Sequence, residues 1–229
     1  MAPPTNGDSI SGHDLAATYA DNIKGKVILV TGTSQGSLGE EYCLAIAKSE
    51  PKLLILAGRN AEKLQFIISA IAKASPKVAT KSLNLDLESV AEVKKAAAIV
   101  NSWDDVPHID VFCHHAAIMG TPYGTTVDGF ERQLGVNYIA PWVFTNSILP
   151  KILKSQSPRI VLLSSDGHRW GPIRWHDPNF KVMFNSLASS EQYQRLTISI
   201  ISLYRVVTTT TDGTLMASQR RRFSFSLSI

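Results

Sequence analysis

Cysteine is scarce in this chain: Cys43 and Cys113 are the only two, and both sit inside apolar stretches. No disulfide framework is indicated, so a reducing compartment, the cytoplasm, is expected. Long hydrophobic runs are missing as well. No stretch reaches the ~18 apolar residues of a membrane-spanning helix. Residues 1–8 contain Pro and Gly but no basic segment followed by an apolar one, which argues against a secretory leader. Charge of one sign is also limited, with 23 Lys and Arg against 19 Asp and Glu, a net +4. That balance suits an anionic ligand but is too small to point to nucleic acid. Hydrophobic residues at 44% and charged residues at 18% exclude a disordered or fibrous chain. A length of 229 residues allows one sizeable domain with a real core.

What is present is an alternation of two periodicities. Residues 1–24 read as an arm, polar at first and then weakly helical from Asp14 to Asn22. The apolar, largely β-branched run 26–31 predicts a buried parallel strand. Helix is then predicted over 38–49, strand over 52–56, helix over 61–74 and strand over 78–83. Helix over 88–101, capped by Asp86 or a neighbour, strand over 109–114, a long helix over 126–154 and strand over 159–163 complete the series. Such an order calls for an α/β fold, a doubly wound parallel sheet with helices on both faces. Ligands are expected at the carboxyl ends of its strands.

After Phe180 the text changes character. Residues 181–229 contain no Pro, one Gly, no lysine beyond Lys181, and 15 Ser or Thr in 49 positions. Neither period persists there. The domain is therefore read as 25–180, with 181–229 a divergent tail that leaves the C-terminal part of the fold incomplete.

The chemistry-bearing residues begin with the turn Thr31-Gly32-Thr33-Ser34-Gln35-Gly36-Ser37-Leu38-Gly39. It lies between the first strand and the first helix, where glycine lets the backbone turn tightly and lie against a pyrophosphate. The helix start supplies free N–H groups and a positive dipole end. Gly32, Ser34, Gly36, Leu38 and Gly39 are thus candidate cofactor contacts. The second strand ends in Ala57-Gly58-Arg59-Asn60. An acidic residue would favour the ribose 2′-hydroxyl of NAD at that point. Arg59 favours the 2′-phosphate of NADP.

These features resemble the short-chain dehydrogenase/reductase family, a Rossmann-type fold. The turn departs from the family spacing in one respect: Ser37 and Leu38 separate the last two glycines, where the family has one residue. Leu85-Asp86-Leu87 is similar to the element that holds the adenine. His114, in Cys113-His114-His115-Ala116-Ala117, stands at the family's first asparagine, which ties the sheet to the cofactor region. A metal role for His114-His115 is disfavoured because adjacent strand residues face opposite ways. Asn137 resembles the asparagine that holds a proton-relay water, and Ser165, in Leu162-Leu163-Ser164-Ser165, the serine that polarises the substrate carbonyl, with Ser164 the alternative. Residues 166–180 look like the segment after that serine in fungal members related to retinol dehydrogenases and WW-domain oxidoreductases.

The resemblance implies NADP-dependent hydride transfer between an alcohol and a ketone or aldehyde. The family completes its site with Tyr-x-x-x-Lys, whose tyrosine exchanges the proton and whose lysine lowers its pKa. Beyond Ser165 the tyrosines are Tyr193 and Tyr204, followed four positions later by Thr197 and Thr208. No such pair exists. Permitted codons for residues 215–222, read two bases later, encode Tyr-Gly-apolar-Ser-Lys-Thr-Ala, which suggests a shifted reading frame. The alternative expectation is a catalytically defective NADP-binding remnant. Family members often pair through later helices, so an oligomer is possible but the altered tail puts it in doubt.

Overall fold

The computed structural model describes residues 10–165, 175–181, 207–209 and 215–217. Two short helices come first, α1 (Gly12–Thr18) and α2 (Ala20–Ile23). The alternating series is β1 (Val27–Thr31), α3 (Leu38–Ala47), β2 (Leu53–Gly58), α4 (Ala61–Ala74), β3 (Ala79–Asn84), α5 (Val90–Ser102) and β4 (Val111–His114). Then follow α6 (Arg132–Leu134), a π turn (Gly135–Ile139), α7 (Ala140–Ile152) and β5 (Arg159–Leu162).

Strands β3-β2-β1-β4-β5 pair in parallel in that order. This is the doubly wound, Rossmann-type sheet expected. The connection reverses direction between β1 and β4, which opens a crevice at their carboxyl ends. Strand β1 is buried along its whole length, as an apolar run flanked on both sides by strands requires. Its side chains alternate between the layers. Val27 and Leu29 pack with Phe112, Phe144 and Ile148 on one face, and Ile28 and Val30 pack with Cys43, Ile67 and Ile71 on the other. Half of the residues of edge strand β3 are exposed.

The long helix expected over 126–154 is shorter and interrupted. Thr126–Phe130 form a turn instead, with Thr126 N–H bonded to the Phe130 carbonyl. Glu131 accepts the N–H groups of Gln133 and Leu134 and starts α6. The apolar period of this region hid the cap, because a buried carboxylate in a helical pattern reads as an ordinary helix position. Helix α5 starts after Ser89, whose hydroxyl accepts Glu92 N–H, and not at Asp86. The arm is tied down at its start, with Ala16 buried and its carbonyl accepting the Ser49 hydroxyl.

In the tail, β6 (Val207–Thr209) joins the edge of β5 antiparallel, and β7 (Leu215–Ala217) pairs with β6. Neither strand is legible in the sequence, because three residues are too few to show a period.

Candidate functional site

The glycine turn is fixed by its own side chains. Gly32 adopts φ +74° and Gly36 φ +75°, conformations that favour glycine. A Cβ on Gly32 would lie 2.5 Å from the Ala116 nitrogen, so no other residue fits under the end of β4. A Cβ on Gly39 would lie 2.6 Å from the Gly32 carbonyl, which lets α3 begin against the turn. Ser37, which was not singled out from the sequence, caps α3. Its hydroxyl accepts the N–H groups of Ser34 (3.1 Å) and Glu40 (3.2 Å) and donates to the Gly32 carbonyl (3.0 Å). The signal for it was Ser37 followed three residues later by Glu40, a capping pattern. The extra residue between the last glycines is therefore the cap. Glu40 in turn accepts the Gly36 N–H, an amide of the kind an incoming phosphate would use.

At the end of β4, His114 and His115 face opposite ways. The His114 Nδ1 lies 2.7 Å from the Thr31 hydroxyl, and Thr31 also accepts the Ala116 N–H. His114 thereby ties β4 to the end of β1. Burial pushes its pKa down to about 3, with His115 adding to the shift, so the ring is neutral. A neutral imidazole offers one donor and one acceptor. The His115 ring packs on Tyr42 with centroids 5.0 Å apart, and burial lowers its pKa as well.

Arg59 follows β2 immediately before Asn60, the cap of α4. Its Nη1 donates to Glu88 Oε1 at 3.1 Å, and Glu88 Oε2 lies 3.7 Å from Arg132 Nε. This carboxylate bridge is invisible in the sequence because nothing local links residues 59, 88 and 132. Asp86 accepts the Glu88 N–H at 3.0 Å, which sets the direction of the loop after β3.

A cleft of about 280 Å³ runs between these groups. Of the residues expected to touch cofactor, Gly32, Ser34, Arg59 and Asp86 line it. Gly36, Leu38 and Gly39 shape the turn outside that lining, and the Leu38 side chain is exposed. His114 lies buried beneath. The glycine turn and the helix start that line this cleft fit the diphosphate of a nicotinamide dinucleotide, and Arg59 stands on the same wall.

Asn137 is buried within the π turn, where its Nδ2 donates to the Ile118 carbonyl and its Oδ1 accepts the Ile118 N–H, both at 2.8 Å. It clips the loop after β4 to the helix. Ser165 sits half-buried just beyond the carboxyl end of β5, where the Leu163 N–H bonds to the His114 carbonyl. Further on, Phe180 is buried against Leu134, and the Asn179 side chain accepts the Glu131 N–H at 2.7 Å. The segment 166–174, with Trp170, and the tyrosines Tyr193 and Tyr204 lie outside the described residues.

Residues 26–175 match the family model described as short chain dehydrogenase. The chain is 34% identical over 160 residues to retinol dehydrogenase 13 of Mus musculus, covering 70% of this chain and 47% of that protein. It is 30% identical over 172 residues to an oxidoreductase of Fusarium equiseti, covering 73% and 66%. The matched part thus spans about half the length of the first of these curated relatives. Among solved structures, a protein of Mycobacterium Paratuberculosis superposes with TM-score 0.61 at 29% identity, over 80% of this chain and 61% of that one. A short chain dehydrogenase of Escherichia coli CFT073 complexed with NADPH superposes with TM-score 0.55 at 25% identity, over 77% and 75%. Sheet order, glycine turn and sequence similarity agree: the chain belongs to the short-chain dehydrogenase family.

Proposed function

We propose that this chain binds NADP(H) and descends from an oxidoreductase that interconverts an alcohol and a ketone or aldehyde. The observation that carries the cofactor choice is Arg59, placed at the end of β2 on the cleft wall. A guanidinium there matches a 2′-phosphate, whereas an NAD site places a carboxylate. The NADPH complex of the Escherichia coli relative agrees with this choice. Bound in the cleft, the dinucleotide supplies or accepts the hydride.

The chain's own residues take the remaining roles. Gly32 and Ser34 carry the diphosphate, with Gly36, Leu38 and Gly39 holding the turn and helix start behind them. Asp86 faces the adenine end, and His114 keeps β1 and β4 in register beneath. Ser165 donates a hydrogen bond to the substrate oxygen and orients the carbonyl. Asn137 holds the loop after β4 and the relay water of the family scheme. A small-molecule substrate is expected, and the free thiols of Cys43 and Cys113 suit the cytoplasm. No helix among the described residues is long and apolar enough to cross a membrane.

A second reading, an NADP-binding remnant without turnover, is favoured by one sequence fact: no Tyr-x-x-x-Lys follows Ser165. In the family scheme that pair supplies the tuned group that exchanges the proton. Fluorescence titration of the full chain with NADPH and NADH tests the cofactor. Tighter binding of NADPH by about tenfold or more is expected from one charge-assisted phosphate contact, and equal binding refutes the choice. Incubation with a panel of aldehydes and ketones separates the two readings, because binding without NADPH oxidation identifies the remnant. The coding DNA across codons 175–229 decides whether a shifted frame restores the pair.

A further inference from the structure

We propose that Glu88 is a specificity-determining residue, whose carboxylate competes with the cofactor's 2′-phosphate for Arg59. The proposal rests on the NADP reading of Arg59 and goes beyond it. It assigns the strength of the preference to an acidic residue from a different strand loop.

Three observations carry it. First, Glu88 already occupies Arg59, at 3.1 Å from Nη1, and both residues line the cleft. A phosphate dianion seeking the same guanidinium meets a carboxylate of like charge beside it. Second, Glu88 is delivered by an anchored backbone. Its N–H donates to Asp86 at 3.0 Å, and the next residue, Ser89, caps α5. The loop thus fixes the backbone that carries Glu88 beside Arg59 and leaves the carboxylate free to turn. Third, Arg132 offers the displaced carboxylate a second seat. Its Nε is 3.7 Å from Glu88 Oε2 and has no hydrogen-bond partner among the described residues. Rotation of Glu88 toward Arg132 frees Arg59 for phosphate without stranding a charge. The Arg59 side chain is 60% exposed and that of Glu88 32%, and such a solvent-screened pair breaks readily. Glu88 therefore lowers the affinity for the phosphorylated dinucleotide without abolishing it, and leaves the unphosphorylated one nearly untouched.

Binding of NADPH and of NADH, read by nicotinamide fluorescence at low ionic strength, tests the proposal in the full chain. E88Q should tighten NADPH by about three- to tenfold, shift NADH by less than about twofold, and lose most of its effect in high salt. R132A should weaken NADPH by a few-fold, because Glu88 then has only Arg59. In an R59A background, E88Q should have no NADPH-selective effect. Unchanged or weaker NADPH binding by E88Q overturns the proposal, as does an equal gain for both dinucleotides or a gain that persists without Arg59. Failure of the cofactor reading is distinct: the wild-type chain would then bind both dinucleotides alike. In that case a selective gain in E88Q still supports competition, and its absence still refutes it. Circular dichroism of each variant confirms that the fold is retained.

Discussion

The two edges of the parallel sheet use their charged side chains differently. At the amino edge, polar groups are satisfied within the chain. Asp110 accepts the Val27 N–H at 2.9 Å and the Ser155 hydroxyl at 2.6 Å. Lys151 donates to the carbonyls of Val100 (2.6 Å), Asn101 (3.3 Å) and Trp103 (2.7 Å), closing the end of α5. Both Asp110 and Lys151 are buried. At the carboxyl edge, Glu40 sits on the Gly36 N–H and Glu88 on Arg59. These carboxylates are partly exposed, and each covers a donor that an anion could use. Buried polar groups hold the fold at both edges, as His114 and Asn137 do at the carboxyl one, whereas the partly exposed carboxylates Glu40 and Glu88 are exchangeable, as binding requires.

The largest break in this comparison is expected at Gly32, where a positive φ and close packing both call for glycine. G32A combines a positive φ with a Cβ at 2.5 Å from backbone. It should cost about 3 kcal/mol and remove dinucleotide binding, as denaturant unfolding and fluorescence titration would show. At the amino edge, K151M should cost about 1–3 kcal/mol by leaving carbonyls unpaired. Cofactor affinity of the folded protein should be unchanged; a loss of affinity would erase the distinction between the edges.

His114 gives a pH test. Its folded pKa of about 3 lies below the ordinary 6.5, chiefly because it is buried. Below the unfolded value the unfolded chain takes up a proton that the folded chain refuses, so stability is full above it and falls toward the folded value. Wild type should lose about 2 kcal/mol relative to H114N between roughly pH 7 and pH 5. Urea midpoints across that range check the sign. The smallest effect is expected from E40A, which uncovers the turn amide: a few-fold tightening of NADPH and NADH alike. A selective effect there would contradict the division of labour between Glu40 and Glu88.

Much of the fold is legible in the order of residues alone. The strand-turn-helix units announce themselves because apolar period and glycine punctuation are local, as residues 26–39 show. Arg59 is legible for the same reason, since it stands in the turn just after a predicted strand. The break before Arg132 is not, because the Glu131 cap lies inside a continuous apolar period. Nor is the occupation of Arg59 by Glu88, which joins residues 29 positions apart.

By itself, the sequence determined the order of strands and helices, the glycine turn, the cation at the end of β2, and the lack of Tyr-x-x-x-Lys after Ser165. Each of these is a property of neighbours along the chain. Tertiary structure alone decided that His114 meets Thr31 across 83 residues and that Asn137 clips Ile118. It also decided that Glu88 stands between Arg59 and Arg132. Parallel crossovers bring distant strand ends side by side, and only that packing sets which charges meet.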